Sequence, residues 1–365
     1  MELQKQVYKD KGNQNPFFKL IGFIPNRLFA ALTMLRTQLY KWEILQSQKL
    51  PGKCISIGNI CLGGTGKTPV VIELAKFIHE NRKQVLILTR GYKSGLKKHE
   101  YVVLKDGEVC ASNRLQGQIF ADEAMHQSKT LPYAYVIVAA KRFKAAEIFL
   151  SEFPFKHDDL VFILDDGYQH QQIHRDLNIL LVDSEKPIGN GQMLPLGTLR
   201  EPIKAVSRCD LIVWTRCNKV KNPGLGANRI SELLKKKVST GAQFIEGKIY
   251  KVSSRRLFET GYNELKNLSL LAVTGIAHPH RFFKSVEQIG LKVEDRMVFN
   301  DHQRFDLKMI SEKFSHLDAL LITAKDYWRE PSLFQVLPIS VFILDLEIKF
   351  TNTEFFQPIL DLITD

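Results

Sequence analysis

The feature that most narrows how this chain can fold is a run of six residues, Gly63-Gly64-Thr65-Gly66-Lys67-Thr68, set between an apolar stretch and a helical pattern. Glycines in such a run let the backbone turn so that successive N–H groups converge, and the start of a helix adds partial positive charge that favours an anion. Lys67 is then placed to reach the β- and γ-phosphates of a nucleotide, and the Thr68 hydroxyl to coordinate magnesium. Pro69 suits the first helical turn, where a missing N–H costs nothing. The run departs from the general G-x-x-x-x-G-K-[ST] form at its first position, which falls on Cys61. The pair Gly63-Gly64, with Gly58 upstream, can supply the tight turn instead. Cys61, Leu62, Gly63, Gly64, Thr65, Gly66, Lys67 and Thr68 therefore form the candidate nucleotide cradle; the alternative is a glycine-rich turn without function.

From Lys53 onward the pattern is of short apolar runs separated by helical stretches. Strands are expected at Cys54–Ile57, Gln84–Thr89, Ala134–Val138, Val161–Leu164 and Asn178–Val182, with helices at Pro69–Glu80 and Arg142–Leu150. That alternation argues for a parallel sheet covered by helices on both faces. After Asp183 comes a turn-rich stretch, from Pro187-Ile188-Gly189-Asn190-Gly191 to Leu194-Pro195-Leu196-Gly197, which reads as a linker or hinge. Beyond it a second α/β region has expected strands at Leu211–Trp214, Leu268–Thr274, Ala319–Thr323 and Val341–Leu344. The fold class expected is α/β: a P-loop NTPase-like parallel sheet flanked by helices, with a second, smaller α/β domain. The expected division is an N-terminal amphipathic segment at 1–47, a nucleotide-binding domain at 48–185, a hinge at 186–205 and the smaller domain at 206–365.

One of these strands ends in acid. Val161-Phe162-Ile163-Leu164 runs into Asp165-Asp166, and in a parallel sheet that end lies beside the phosphate loop. A carboxylate there holds the Mg²⁺ that bridges the terminal phosphates. Asp165 is in register for the metal, and Asp166 is a candidate for its water shell. A plain strand-terminating pair is the alternative.

The formal net charge of +12 favours an anionic partner, whether nucleic acid, an anionic membrane face or a polyphosphate. Five widely spaced cysteines without a C-x-x-C pair argue against a disulfide framework or zinc site, and for a reducing cytosolic home. No signal peptide is evident in Met1 to Asn15, and the apolar stretch from Phe17 to Leu35 is broken by Lys19, Pro25 and Arg27, so it is not expected to span a bilayer. Pro25-Asn26 reads as a helix start with Asn26 as N-cap. After it Leu28, Leu32, Leu35, Leu39 and Trp42 share one helical face, flanked by Arg27, Arg36 and Lys41. Such a helix can lie in a bilayer interface or pack on the core.

Taken together, Ser56-Ile57-Gly58-Asn59, the Gly-Gly-Thr-Gly-Lys-Thr-Pro run and Asp165-Asp166-Gly167-Tyr168-Gln169-His170 closely resemble the tetraacyldisaccharide 4'-kinase family of lipid A biosynthesis. Leu194-Pro195-Leu196-Gly197-Thr198-Leu199-Arg200-Glu201-Pro202 is similar to the family's hinge motif. Thr274-Gly275-Ile276-Ala277 with Arg281-Phe282-Phe283, Phe299-Asn300-Asp301-His302 and Thr323-Ala324-Lys325-Asp326 resemble second-domain motifs. The likeness runs in order from about residue 17 to residue 330. Its departures are mild: His278 before Pro279, Ala324 in place of a glutamate, and Ala121 in place of a glycine.

The resemblance implies transfer of the γ-phosphate of ATP, with Mg²⁺, to the 4'-hydroxyl of a tetraacylated glucosamine disaccharide 1-phosphate, by a peripheral protein at the cytoplasmic face of the bacterial inner membrane. Nucleic acid is not an expected partner. A sugar hydroxyl needs a positioned base as attack proceeds, and Asp122 in Phe120-Ala121-Asp122-Glu123 matches the family's base, with His302 as its second-domain partner. Read alone, Asp122 is a helix N-cap and His302 a surface-loop histidine. Arg90, Tyr92, Glu123, Arg142, Gln169 and His170 are candidate phosphate or substrate contacts.

Two rival readings differ from this one. A membrane-associated switch ATPase carries an early lysine in its phosphate loop, and Leu62 stands in that place. A GTPase is hinted at by Thr215-Arg216-Cys217-Asn218-Lys219, but Lys221 fills the slot of the aspartate that would accept hydrogen bonds from guanine. No RNA-binding signature with spaced aromatics is present.

Overall fold

The structure, a computed structural model, describes residues 16–91, 94–114, 122–219, 225–234, 237–253, 256–300 and 303–365. Among these, one 14-stranded sheet runs through the molecule. Its first half is β1 (Lys53–Gly58), β2 (Gln84–Thr89), β5 (Tyr135–Ala139), β6 (Leu160–Asp165), β7 (Leu177–Asp183) and β8 (Leu211–Thr215), all parallel, with β1 between β6 and β7. A hairpin of β3 (Tyr101–Lys105) and β4 (Glu108–Ser112) closes one edge. The second half contains β11 (Leu270–Thr274), β12 (Val293–Val298), β13 (Ala319–Thr323) and β14 (Ser340–Phe350), again mutually parallel. The halves are joined by β9 (Val238–Ser253), parallel to β8 and antiparallel to β14, with β10 (Arg256–Thr260) paired to it.

Period-two alternation puts successive side chains on opposite faces, and both faces are covered. Ile55, Ile57, Val85, Ile87, Val161 and Ile163 pack with Val71, Leu74 and Ile78 of helix α2 (Lys67–Glu80). Cys54, Leu86, Leu88, Phe162 and Leu164 pack the other way, with Ala146 and Phe149 of helix α4 (Arg142–Glu152). Helix α3 (Asp122–Thr130) adds Ala124 to the first cluster. The segment after β7 is anchored against the phosphate loop: Leu62 N–H donates to the Thr198 carbonyl at 2.7 Å and Arg200 N–H to that of Ile60 at 2.7 Å. Helix α5 (Leu225–Leu234) packs on the same side through Ile230 and Leu234. In the second half, helix α6 (Pro279–Gln288) covers β11 with Phe282, Phe283 and Val286, and the short helix α7 (Ala324–Arg329) follows β13 directly. The C-terminal helix α8 (Gln357–Thr364) returns to the first-half core through Ile359 and Ile363.

Helix α1 (Pro16–Lys41) differs from the expectation of a start at Pro25-Asn26, because it runs through Pro25. Asn26 is not its N-cap; the Asn26 amide donates to the Met193 carbonyl instead. One proline removes a single intrahelical bond, and the helix continues on both sides of it. Phe29 and Ala30 face the core, whereas Phe23, Ile24, Leu28, Leu32, Leu35 and Trp42 are each more than half exposed. No helix among the described residues is long and apolar enough to cross a membrane.

Candidate active site

Six parallel strands end at one edge of the sheet, so residues far apart in sequence meet there. β1 delivers the glycine loop, β6 the two aspartates, β2 Arg90 and β7 Asp183. The register sets Asp165 beside Ile57, just before the turn into the loop. Gly63 has φ 121 and Gly66 φ 78, backbone that only glycine adopts freely. Gly66 is the residue before α2, whose first turn carries Lys67 and Thr68. Thr65 is buried, its hydroxyl accepting from the Asn59 amide at 3.0 Å. Cys61 forms a bridge with Leu199 and turns its thiol to the Pro187 carbonyl at 3.5 Å. Burial, with Asp183 nearby, pushes that thiol up to about 12. Leu62 is tied to Thr198, so the segment after β7 backs the loop.

The two aspartates have separate environments. Asp165 is buried, and one carboxylate oxygen accepts from Gln127 at 2.9 Å while Oδ1 has no hydrogen-bond partner among the described residues. Burial, then the charge of Glu123, raises its pKa to about 6 despite the Gln127 hydrogen bond and Lys67. Asp166 sits in left-handed backbone with φ 49 and takes two hydrogen bonds from Arg200, at 3.0 and 2.8 Å, with Lys67 Nζ at 3.5 Å. Burial opposes ionisation there, but Lys67 and Arg200 outweigh it and hold Asp166 near 2.

This donor set fits a magnesium ion. A buried carboxylate oxygen lacking a donor, in an acid-rich corner beside the Thr68 turn, suits a cation that keeps water and phosphate oxygens as its remaining ligands. Among the described residues no group of three or more His, Cys, Asp or Glu could hold a metal ion by itself. A cation completed by phosphate and water needs no such group.

Arg142 is buried, and its guanidinium donates to the Asp165 carbonyl at 2.7 Å. Burial lowers its pKa to about 10, with Asp166 and Asp165 opposing, so it stays charged at neutral pH. His170 is pulled down to about 3 by burial and by Arg142, Arg36, Arg175 and Arg90, and is therefore a neutral imidazole. Gln169 braces the turn, donating to the Asn59 carbonyl at 2.8 Å and to Glu201 at 2.9 Å. Arg90 is exposed at the end of β2.

Asp122 and Glu123 open α3, where that helix meets α7. Asp122 is buried, with Arg329 Nε 3.9 Å from its Oδ2, and Glu123 pairs with Lys325 at 3.2 Å. Arg329 also faces Asp326 at 3.4 Å, and Asp326 accepts from Thr274 Oγ1 at 2.7 Å and from Gly275 N–H at 3.1 Å. Tyr92 and His302 lie outside the described residues. The sequence reading assigned no role to Arg200, Gln127, Arg216 or Arg329. Arg200 and Arg216 stand inside runs considered for other reasons, whereas Gln127 bonds Asp165 and Arg329 faces Asp122, partners so distant along the chain that no local pattern marks them.

Comparison with known proteins agrees with this geometry. The profile of the tetraacyldisaccharide-1-P 4'-kinase family matches residues 22–364. A tetraacyldisaccharide 4'-kinase from Geobacter sulfurreducens is 33% identical over 328 residues, covering 88% of each chain. One from Pelobacter propionicus is 34% identical over 290 residues, 78% of this chain and 74% of its own. The crystal structure of LpxK from Aquifex aeolicus in complex with ATP superposes with a TM-score of 0.74 at 28% identity, covering 93% of this chain and 98% of the other. With a glycine loop, an acid-tipped neighbouring strand and a match along nearly the whole length, the chain belongs to the tetraacyldisaccharide-1-P 4'-kinase family.

Proposed function

We propose that the glycine loop, the aspartate pair and the α3–α7 junction act as one site, in which Asp122 readies the acceptor alcohol. The activity of the family is ATP-dependent 4'-phosphorylation of a tetraacyldisaccharide 1-phosphate in lipid A biosynthesis. One observation carries the assignment of Asp122. The helix that begins with Asp122 also supplies Gln127, which bonds Asp165 at 2.9 Å, so base and metal carboxylate share a wall.

In this reading the N–H groups of Gly64, Gly66 and the first turn of α2 hold the phosphates. Lys67 leaves Asp166 to reach the β- and γ-phosphate oxygens, and Arg142 and Arg200 supply fixed positive charge. Thr68 and Asp165 would hold Mg²⁺, which when bound would supply positive charge to offset that on the transferring phosphoryl group. The 4'-hydroxyl proton passes to an Asp122 carboxylate oxygen, with His302 as partner. Arg329, its Nε 3.9 Å from Asp122 Oδ2, places a positive charge beside that carboxylate. The acceptor comes between residues 48–185, which hold the nucleotide, and residues 206–365, with 186–205 as hinge.

The exposed face of α1 is the proposed membrane contact, with aromatics and leucines in the interface and Arg27, Arg36 and Lys41 at headgroup level on the cytoplasmic side. Two experiments test these assignments. Incubation with labelled ATP, magnesium and a tetraacyldisaccharide 1-phosphate is expected to give a bisphosphorylated lipid; release of free phosphate alone would favour a switch ATPase. Leu28→Glu with Leu32→Glu is expected to abolish flotation with anionic vesicles, and unchanged flotation would remove α1 from the interface.

A further inference from the structure

Arg216, at the end of β8, has φ 59, left-handed backbone that residues with a Cβ seldom adopt. Such backbone persists where the surroundings impose it, and here it aims one guanidinium at two acceptors. Nη1 donates to Asp183 Oδ2 at 2.7 Å and Nη2 to the Gly64 carbonyl at 2.7 Å. The same group lies over the Phe244 ring, 5.0 Å from its centroid. Phe244, on β9, presses on Gly66 so closely that a Cβ there would fall 2.2 Å from the ring tip. Two residues after the hinge segment thus grip both ends of Gly64-Thr65-Gly66.

A run of glycines has the largest conformational entropy to lose when it orders around a ligand. Clamps that order it beforehand remove that cost from binding. A carbonyl and the following N–H point in opposite directions, so holding Gly64 C=O outward also fixes the Thr65 peptide, whose N–H donates to Gly63 at 3.0 Å. We infer that Arg216 and Phe244 are positioning residues for ATP: they hold the glycine loop in its phosphate-receiving form before the nucleotide arrives. The inference rests on the loop being the triphosphate site.

The test is titration calorimetry of MgATP into the full chain without acceptor, together with steady-state kinetics and thermal melts. Arg216→Ala and Phe244→Ala are each expected to raise Kd and KM for ATP about tenfold, with the change in KM for ATP rather than in kcat or in KM for the lipid. Arg216→Lys is expected not to rescue, because an ammonium cannot bridge two acceptors while stacking on a ring. The double variant is expected to bind about as weakly as the weaker single, since both act through one loop. Should a melt show Arg216→Ala unfolded, Phe244→Leu, which keeps bulk but loses the ring face, must still weaken ATP binding. Wild-type affinity in the folded Arg216→Ala or in Phe244→Leu, rescue by lysine, or additive losses would overturn the inference. Lys67→Ala separates the two levels: wild-type binding and turnover in that variant would sink the loop as nucleotide site, whereas its failure beside a normal Arg216→Ala would sink only the clamp.

Discussion

At the nucleotide end, the loop, Asp165 and Asp166 all come from ends of adjacent parallel strands, β1 and β6, within one sheet. At the proposed acceptor end, Asp122 on α3 meets Arg329 on α7, two helices from different halves of the chain. The first assembly follows from strand order and would survive changes in any one contact. The second depends on charged side chains that meet across the molecule, and its geometry is held by the very groups proposed to do the chemistry. Substitutions should therefore separate activity from stability at the nucleotide end and couple them at the acceptor end.

The largest effect expected is on turnover. Lys67→Ala and Asp122→Ala should each lower phosphoryl transfer by about a thousandfold or more, as loss of a positioned charge or base does, with Lys67→Ala leaving the melting temperature nearly unchanged. Stability loss in Lys67→Ala equal to that at the junction would erase the contrast. Next comes Arg329→Ala. It leaves the buried carboxylates of Asp122 and Asp326 without their shared cation, and should cost about 3 kcal/mol in urea denaturation as well as activity.

A third effect sharpens the comparison through pH. His126 on α3 pairs with Asp345 on β14 at 3.3 Å. Burial alone would lower the His126 pKa, but the charge and hydrogen bond of Asp345, with Glu123 and Asp122 behind them, raise it. Burial would raise Asp345, and His126 outweighs it and lowers that group. Stability from the raised histidine is complete below its unfolded pKa of about 6.5 and is lost as pH rises through the folded value. Stability from the lowered aspartate is present above about 3.9 and is lost as pH falls through its folded value. His126→Gln should thus destabilise by about 1–2 kcal/mol near pH 6 and by clearly less near pH 9. An effect independent of pH would show packing rather than charge at work. The smallest change is expected for Lys325→Ala, whose partly exposed pair with Glu123 should be worth no more than about 1 kcal/mol.

The same contrast explains what could be read beforehand. Strands β2 and β13 lie where apolar runs placed them, and β1, β6, β7 and β8 do so within a residue or so at each end, because a strand buried on both faces must be apolar along its length. β9 could not be read that way. Its residues Val238–Ser253 mix Ser, Gly, Gln and Lys with apolar ones, and its partners β8 and β14 lie far apart along the chain. The β3–β4 hairpin was missed as well: β3 is an apolar, buried run, but its partner β4 is largely exposed, so no matched pair of apolar runs marks the hairpin. At the site, the glycine loop and Asp165-Asp166 were legible because spacing and strand context specify them. Register already set Asp165 apart from Asp166, and the structure adds the physical difference: Asp166 accepts from Arg200 and faces Lys67, while Asp165 Oδ1 has no hydrogen-bond partner among the described residues. Asp122 came from family resemblance alone; Lys325, paired with the adjacent Glu123, stood in a motif of the same resemblance, whereas Arg329 carries no local mark.

Single-turnover transfer from pre-bound ATP to the tetraacyldisaccharide acceptor in Asp122→Asn, measured beside its nucleotide affinity, bears most directly on a base set apart from the phosphate site. The expected result is transfer slowed about a thousandfold with ATP affinity within about twofold of wild type, since Asp122 is proposed to serve the acceptor and not the nucleotide. Transfer at the wild-type rate from bound ATP, or a collapse of ATP affinity, would contradict that division of the site.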